Sequence, residues 1–259
     1  EGGTGTAGTL NIAIEPDRLN KADLQAIVGL YGLAEGGFFM NINAKKTTHI
    51  ASLSASRCDG AVDNGDFKQG KTFYMGHTET NKLMAEWQAG YSRQSFGANT
   101  FYSAAFDNQW ERTNRVLASA KMETQTPVKF VGSLSWVRSY DHFQLIRDSS
   151  YGENFHRTDV LHFIPEINHR WKGGKSSFGT DYRRELIYST NLGVPMENDS
   201  LKIFNTDDKY YKKNKSRDLL SFFLKHNFLF NRWNLNVGVR TFKNFDDADR
   251  IRQRAESAF

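Results

Sequence analysis

The sequence is short of several things that would point to a function. It has one cysteine, Cys58, in 259 residues, and a lone thiol closes no internal disulfide. No run of 18 apolar residues occurs, so no segment is suited to a membrane-spanning helix. Seven histidines are scattered, with neither an H-E-x-x-H motif nor a metal-ligand pair spacing. Gly3, Gly5 and Gly8 match the dinucleotide fingerprint as a string. The residues that follow, "TLNIAIEP", read as a strand where the fingerprint needs a helix, and Thr9 stands where a P-loop needs Lys. A net charge of +5 and a pI near 9.2 are too mild to imply a nucleic-acid partner. The one basic run with aromatics, "KYYKKNKSR" (209–217), lies in a single connecting segment. Nothing here assembles a catalytic constellation, so the chain reads as a non-enzyme.

Proline is scarce, at four, while aromatics make up 14% of the chain, with 20 Phe and 10 Tyr. Only 39% of residues are hydrophobic, and the mean hydropathy is −0.61. Against that polar average, the apolar residues are strongly ordered. In "FFLKHNFLFNRWNLNVGVRTF" (222–242), Trp233, Leu235, Val237 and Val239 alternate with Asn234, Asn236, Gly238 and Arg240. Period two is the signature of a strand with one apolar and one polar face. "LMAEWQAGY" (83–91), "VKFVGSLSW" (128–136) and "DLQAIVGL" (23–30) repeat it. Eleven strands are expected, over 22–33, 36–44, 48–57, 71–79, 82–93, 110–123, 128–146, 156–171, 176–190, 216–230 and 233–243.

The connections between these strands alternate in length. Short turns are expected at 44–47, 79–81, 124–127, 172–175 and 231–232, and long loops at 58–70, 94–109, 148–155 and 191–216. In an up-and-down meander every second connection lies on the same rim, so one rim carries tight turns and the other long loops. Outer-membrane barrels have that asymmetry, with an apolar band facing lipid and a polar interior. Several strands also reach the 9–11 residues a membrane strand needs. A soluble β-sandwich or barrel, for instance a carbohydrate-binding domain, fits the alternation too, with the aromatics as its core. On the membrane reading Phe222, Leu224, Phe228 and Trp233 face acyl chains, Asn234, Asn236 and Arg240 face water, and Trp87, Tyr91, Trp136, Trp171 and Trp233 suit the interfacial girdles.

"GTGTAGTLNIAI" (3–14) resembles the end of the plug domain of TonB-dependent outer-membrane receptors, with Thr9 where the family pattern has Ala. "KTTHIASLSASRCDGAVDNGDFK" (46–68), "WQAGYSRQSFGANTFYSAAFDNQWERTNR" (87–115), "ENFHRTDV" (153–160) and "SFGTDYRRELIYSTNLGVPM" (177–196) are similar to the barrels of Bacteroidota members, many of them cobalamin-receptor-like. The likeness spans about residues 3–243. It implies an all-β, antiparallel up-and-down meander: a partial transmembrane β-barrel of about eleven strands, half of a 22-stranded plugged barrel. It implies the end of a plug (1–19) and the first part of a barrel (20–244); the remaining residues, 245–259, depart from the family pattern and read as a polar tail, helical or disordered. The chain is then expected to be a fragment, lacking the signal peptide and the segment that contacts the energising partner.

The implied role is energised uptake of a scarce ligand (cobalamin, siderophore-bound iron or a glycan) across the outer membrane of a Gram-negative bacterium. A passive porin or small barrel is the alternative within the same fold class. The partners implied are a small molecule at the extracellular loops, the TonB complex, lipopolysaccharide and outer-membrane lipid, and a surface lipoprotein.

Candidate contacts fall in two long loops: Asp59, Asp63, Asp66, Phe101, Tyr102, Phe106 and Trp110. "DGAVDNGDF" concentrates hard oxygen ligands that could hold calcium, although Ala61 breaks EF-hand spacing. Asp63 and Asp66 flank the flexible Asn64-Gly65 turn and are the calcium candidates. A polar surface loop with Asx turns is the competing reading.

Overall fold

A computed structural model of the chain describes residues 19–196, 201–230 and 232–246. These residues form β1 (Lys21–Val28), β2 (Ala34–Ala44), β3 (Thr47–Cys58), β4 (Phe67–Glu79), β5 (Leu83–Gly97), β6 (Trp110–Thr124), β7 (Val128–Gln144), β8 (Asn154–Trp171), β9 (Gly174–Ser189), β10 (Val194–Pro195), β11 (Lys213–Leu229) and β12 (Asn234–Asp246). All lie in one antiparallel sheet in which sequential strands pair, except that β11 pairs with β9 and with β12 while the two-residue β10 abuts the start of β11. Among the described residues there is no helix. The eleven expected strands are all present, and β10 is an addition. The plug-terminus reading of 1–18 and the tail reading beyond Asp246 lie outside the described residues. Within the expected tail, Phe245 and Asp246 still pair with β11.

Strand periodicity and register together divide the sheet into two faces. Directly paired residues share a face and successive residues alternate. One row runs Trp87, Ala120, Leu134, Phe163, Tyr182, Leu220 from β5 to β11, and the row beside it, on the opposite face, runs Gln88, Ser119, Ser135, His162, Arg183, Leu219. On the apolar face large side chains stand in the open: Leu53 is 59% exposed, Phe178 51% and Val239 69%. The polar face is knit by side-chain bonds. Gln88 donates to Ser119 at 2.8 Å, and Arg240 reaches from β12 across β11 to Asp181 at 2.7 Å. Asp181 in turn meets His162 at 2.6 Å. The last hairpin follows the expected alternation, with Leu235, Val237 and Val239 on the apolar face and Asn234, Asn236 and Arg240 on the polar one. The small buried cluster, Phe155, Ile203 and Tyr211, sits under the β9–β11 connection. The sheet itself has no second layer among the described residues.

The connections sort as the meander predicts. Lys45-Lys46, 80–82, 125–127, Lys172-Gly173 and the end of β11 with the start of β12 share one rim, and 29–33, 59–66, 98–109, 145–153 and the end of β9 with the start of β11 share the other. Lys46 and Asp63 therefore lie at opposite ends of β3. Gly174 adopts φ +136°, where a Cβ would fall 1.9 Å from the Asn227 carbonyl oxygen, so only glycine closes that turn so tightly. At Gly76 the indole of its cross-strand partner Trp87 lies over the bare backbone, 2.2 Å from where a Cβ would stand.

Candidate functional site

The long-loop rim gathers the candidate residues, and a hydrogen-bonded clasp shapes it. Asn64 sits at the tip of the β3–β4 loop with φ 51°, a left-handed conformation asparagine tolerates. Its side-chain amide donates to the carbonyls of Asp107 (3.1 Å) and Gln109 (2.6 Å) in the β5–β6 loop. Asn99 returns a bond to the Asp63 carbonyl at 2.8 Å. Arg147, at the start of the β7–β8 loop, completes the clasp. Its guanidinium donates to both Asp66 carboxylate oxygens, at 2.5 and 3.1 Å, and to the Asn64 side-chain oxygen at 3.0 Å. Its own amide donates to the Asn108 carbonyl at 2.7 Å. Three loops far apart in sequence are thus tied through one arginine. Its hydrogen bond holds the Asp66 carboxyl below its ordinary range and outweighs the opposing effect of burial; the same bond pushes Arg147 up.

The sequence candidates take different places around this clasp. Asp66 is committed to Arg147, Asp63 is exposed, and the Asp59 carboxylate lies over Gly32 in the β1–β2 loop. Among the described residues no group of three or more His, Cys, Asp or Glu side chains is arranged to hold a metal ion. Phe101 and Tyr102 stand out from the β5–β6 loop at 74% and 50% exposure, with their rings edge to face. Tyr102 also meets Phe143 edge-on and hydrogen-bonds Glu111, both on the polar face. Burial of its hydroxyl and the Glu111 carboxylate push the phenol well above its ordinary range. Phe106 is half-buried at the loop's turn. Trp110 does not join them. It pairs with Gln144 on the apolar face, is 8% exposed, and packs against His142 and the Arg112 guanidinium. Phe101 and Tyr102 therefore stand together at the polar side of the rim, and Trp110 lies on the opposite face of the sheet.

A second tie involves Glu153, which bonds His142 at 2.8 Å and pairs with Lys209 of the β9–β11 connection. Burial would raise the Glu153 carboxyl, but the Lys209 and His142 donors outweigh it and the net shift is downward. Sequence reasoning marked Asn64 only as part of a flexible turn and missed Gln109, Arg147 and Glu153 as residues that shape the rim. No local signal marks them, because each finds its partner only after the meander has brought distant loops together.

No family model and no curated protein matches the chain. Its fold is similar to that of the ferric-catecholate import receptor Fiu from E. coli K12 in its open form, with a TM-score of 0.68 at 11% identity, over 90% of this chain and 45% of that one. The closed form of Fiu aligns with a TM-score of 0.65 at 11% identity, over 89% and 42%. The siderophore receptor PiuA from Acinetobacter baumannii aligns with a TM-score of 0.60 at 8% identity, over 89% and 46%. The chain spans less than half the length of these structures, and at such identities it shares their fold: an antiparallel β meander similar to part of a receptor barrel.

Proposed function

We propose that the chain is part of a TonB-dependent outer-membrane receptor and that it takes up a scarce small molecule using energy supplied from the inner membrane. The observation that carries this reading is the union of two features in one sheet. An exposed apolar face runs across long strands, and tight turns on one rim oppose clasped long loops on the other. Lipid is the natural cover for so large an apolar face, which water would leave at high cost. The polar face then lines the lumen, and the long loops face outward. Among the described residues β1 and β12 each leave one edge unpaired, and in a membrane such an edge needs a partner strand, because lipid cannot satisfy exposed backbone groups. The solved neighbours are a ferric-catecholate import receptor and a siderophore receptor, which favours siderophore-bound iron; the sequence resemblance to Bacteroidota receptors favours cobalamin, and glycans are the third class. The ligand would meet Phe101, Tyr102 and Phe106, with the TonB complex, lipopolysaccharide and a surface lipoprotein as partners. Calcium at Asp63 and Asp66 belongs to the same proposal and requires Arg147 to release Asp66.

Uptake of radiolabelled ferric siderophore and cobalamin by cells carrying the full-length protein tests the reading, with and without a protonophore. Saturable uptake of one ligand that the protonophore abolishes is the expected result. Linear, protonophore-insensitive uptake would identify a passive porin, and a protein that stays soluble without detergent would be a soluble β domain.

A further inference from the structure

Asn64-Gly65 is the only Asn-Gly pair in the chain. Such a pair carries its own chemistry. A glycine has no side chain to shield its backbone nitrogen, so that nitrogen can approach the carbonyl carbon of the preceding asparagine side chain closely. Here both groups are occupied. Asn64 Nδ2 donates to the Asp107 and Gln109 carbonyls, and Oδ1 accepts from Arg147. The Gly65 amide donates to the Val62 carbonyl at 3.1 Å. The surrounding backbone leaves the pair little room to turn. A Cβ at Gly97 would fall 2.5 Å from Asn64 Oδ1. A Cβ at Gly60, where φ is +91°, would fall 2.6 Å from the Gly65 carbonyl carbon. Asp63, the next residue along, is exposed, so water reaches the loop.

We propose that Asn64 is a deamidation site held in check by the clasp, and that its conversion releases the long-loop rim for good. When the clasp opens, the Gly65 nitrogen attacks the Asn64 side-chain carbonyl carbon and a new C–N bond forms. The bond from that carbon to Nδ2 breaks, and ammonia leaves with the proton that Gly65 gives up. Water then opens the cyclic imide at one carbonyl or the other, giving aspartate or isoaspartate, with no oxidation or reduction. Either product carries a carboxylate where Asn64 had a donor. Its oxygens face the Asp107 and Gln109 carbonyls, which have only lone pairs to offer. It also competes with Asp66 for Arg147. The two lost bonds are among those that seat the β5–β6 loop, which carries Phe101 and Tyr102, so the change reaches the candidate ligand surface. The chemistry depends on the clasp and stands whether or not the sheet lies in a membrane.

The test holds full-length protein, folded or in guanidinium chloride, at mildly alkaline pH and follows Asn64 by peptide mapping and mass spectrometry, with aspartate and isoaspartate separated by chromatography. Folded wild type should convert far more slowly than the unfolded chain. R147Q and D66N disrupt the same guanidinium–carboxylate contact, and each should convert roughly tenfold faster than folded wild type, in step with clasp opening. N64D, which carries the aspartate product from the start, should speed hydrogen exchange at the Gly97 and Ala98 amides, which donate to the Asp66 and Gln109 carbonyls. Retained protection in the middle of β5 and β6 shows that each variant has folded. Conversion of folded wild type at the rate of the unfolded chain would overturn the proposal, as would conversion no faster in R147Q and D66N than in wild type. Unchanged exchange at Gly97 and Ala98 in N64D would overturn the release of the rim.

Discussion

Replacing Arg147 with Gln should loosen the rim without unfolding the sheet. The substitution removes two N–H bonds to Asp66 and one to Asn64, and it keeps the backbone bond to Asn108. A hydrogen bond to a charged group contributes about 1.5–3 kcal/mol. Here the Arg147 and Asp66 side chains are 31% and 29% exposed, so solvent screens part of that. A net cost of about 1–3 kcal/mol is expected, between the fully exposed and the buried limits. That corresponds to roughly a fivefold to hundredfold rise in clasp opening. The amides of Gly97 and Ala98, which donate to the carbonyls of Asp66 and Gln109, report it directly. Hydrogen exchange at these two amides should accelerate by that factor in R147Q, while amides in the middle of β5 and β6 keep their protection. D66N should act similarly, and the double variant should cost little more than either alone. Equal protection at Gly97 and Ala98 in wild type and R147Q would refute the clasp. The sign of the pH dependence follows from the lowered Asp66 carboxyl. A group whose folded pKa lies below its unfolded value stabilises fully above the unfolded value, and that contribution is lost as pH falls through the folded one. Rim protection should therefore be flat above Asp66's ordinary value of 3.8 and decline only below it.

The faces of β12 give a second test: V237R should cost about 2–4 kcal/mol by placing a charge in lipid, whereas N236R should cost far less, and equal losses in folding yield would mean an ordinary protein core. G76V should displace the Trp87 indole and cost about 1–3 kcal/mol by overpacking, read as a lower urea midpoint; an unchanged midpoint would show that the indole does not need the bare backbone. F101A should weaken ligand binding and leave heat-modifiable mobility unchanged, because the ring is 74% exposed and supports no core. Ligand affinity should fall in chelator and recover with calcium if Asp63 and Asp66 share an ion, and indifference to chelator would leave Asp66 to Arg147.

The sequence by itself determined the strands and their order. Period-two alternation is a local property, so β2, β3, β6, β7 and β12 begin and end within three residues of their expected limits. Alternating connection lengths set the two rims, because an antiparallel meander has no other way to use them. Where the alternation becomes polar near the long-loop rim, the reading lost the strands. β4 begins at Phe67 and not at 71, and β11 at Lys213 and not at 216, because "FKQG" and "KNK" read as loop until their cross-strand partners are known. The β1–β2 connection went the other way: Gly29 to Leu33 look apolar enough for strand, yet Tyr31 and Gly32 take positive φ and turn the chain. Only the tertiary structure decided the site. It separated Trp110 from Phe101 and Tyr102 by one residue of register and gave Asp66 to an arginine 81 residues away. The reason is physical. Face and strand are fixed by neighbours along the chain, whereas charge pairing and loop contact are fixed by neighbours across it, and their spacing in sequence carries no period to read.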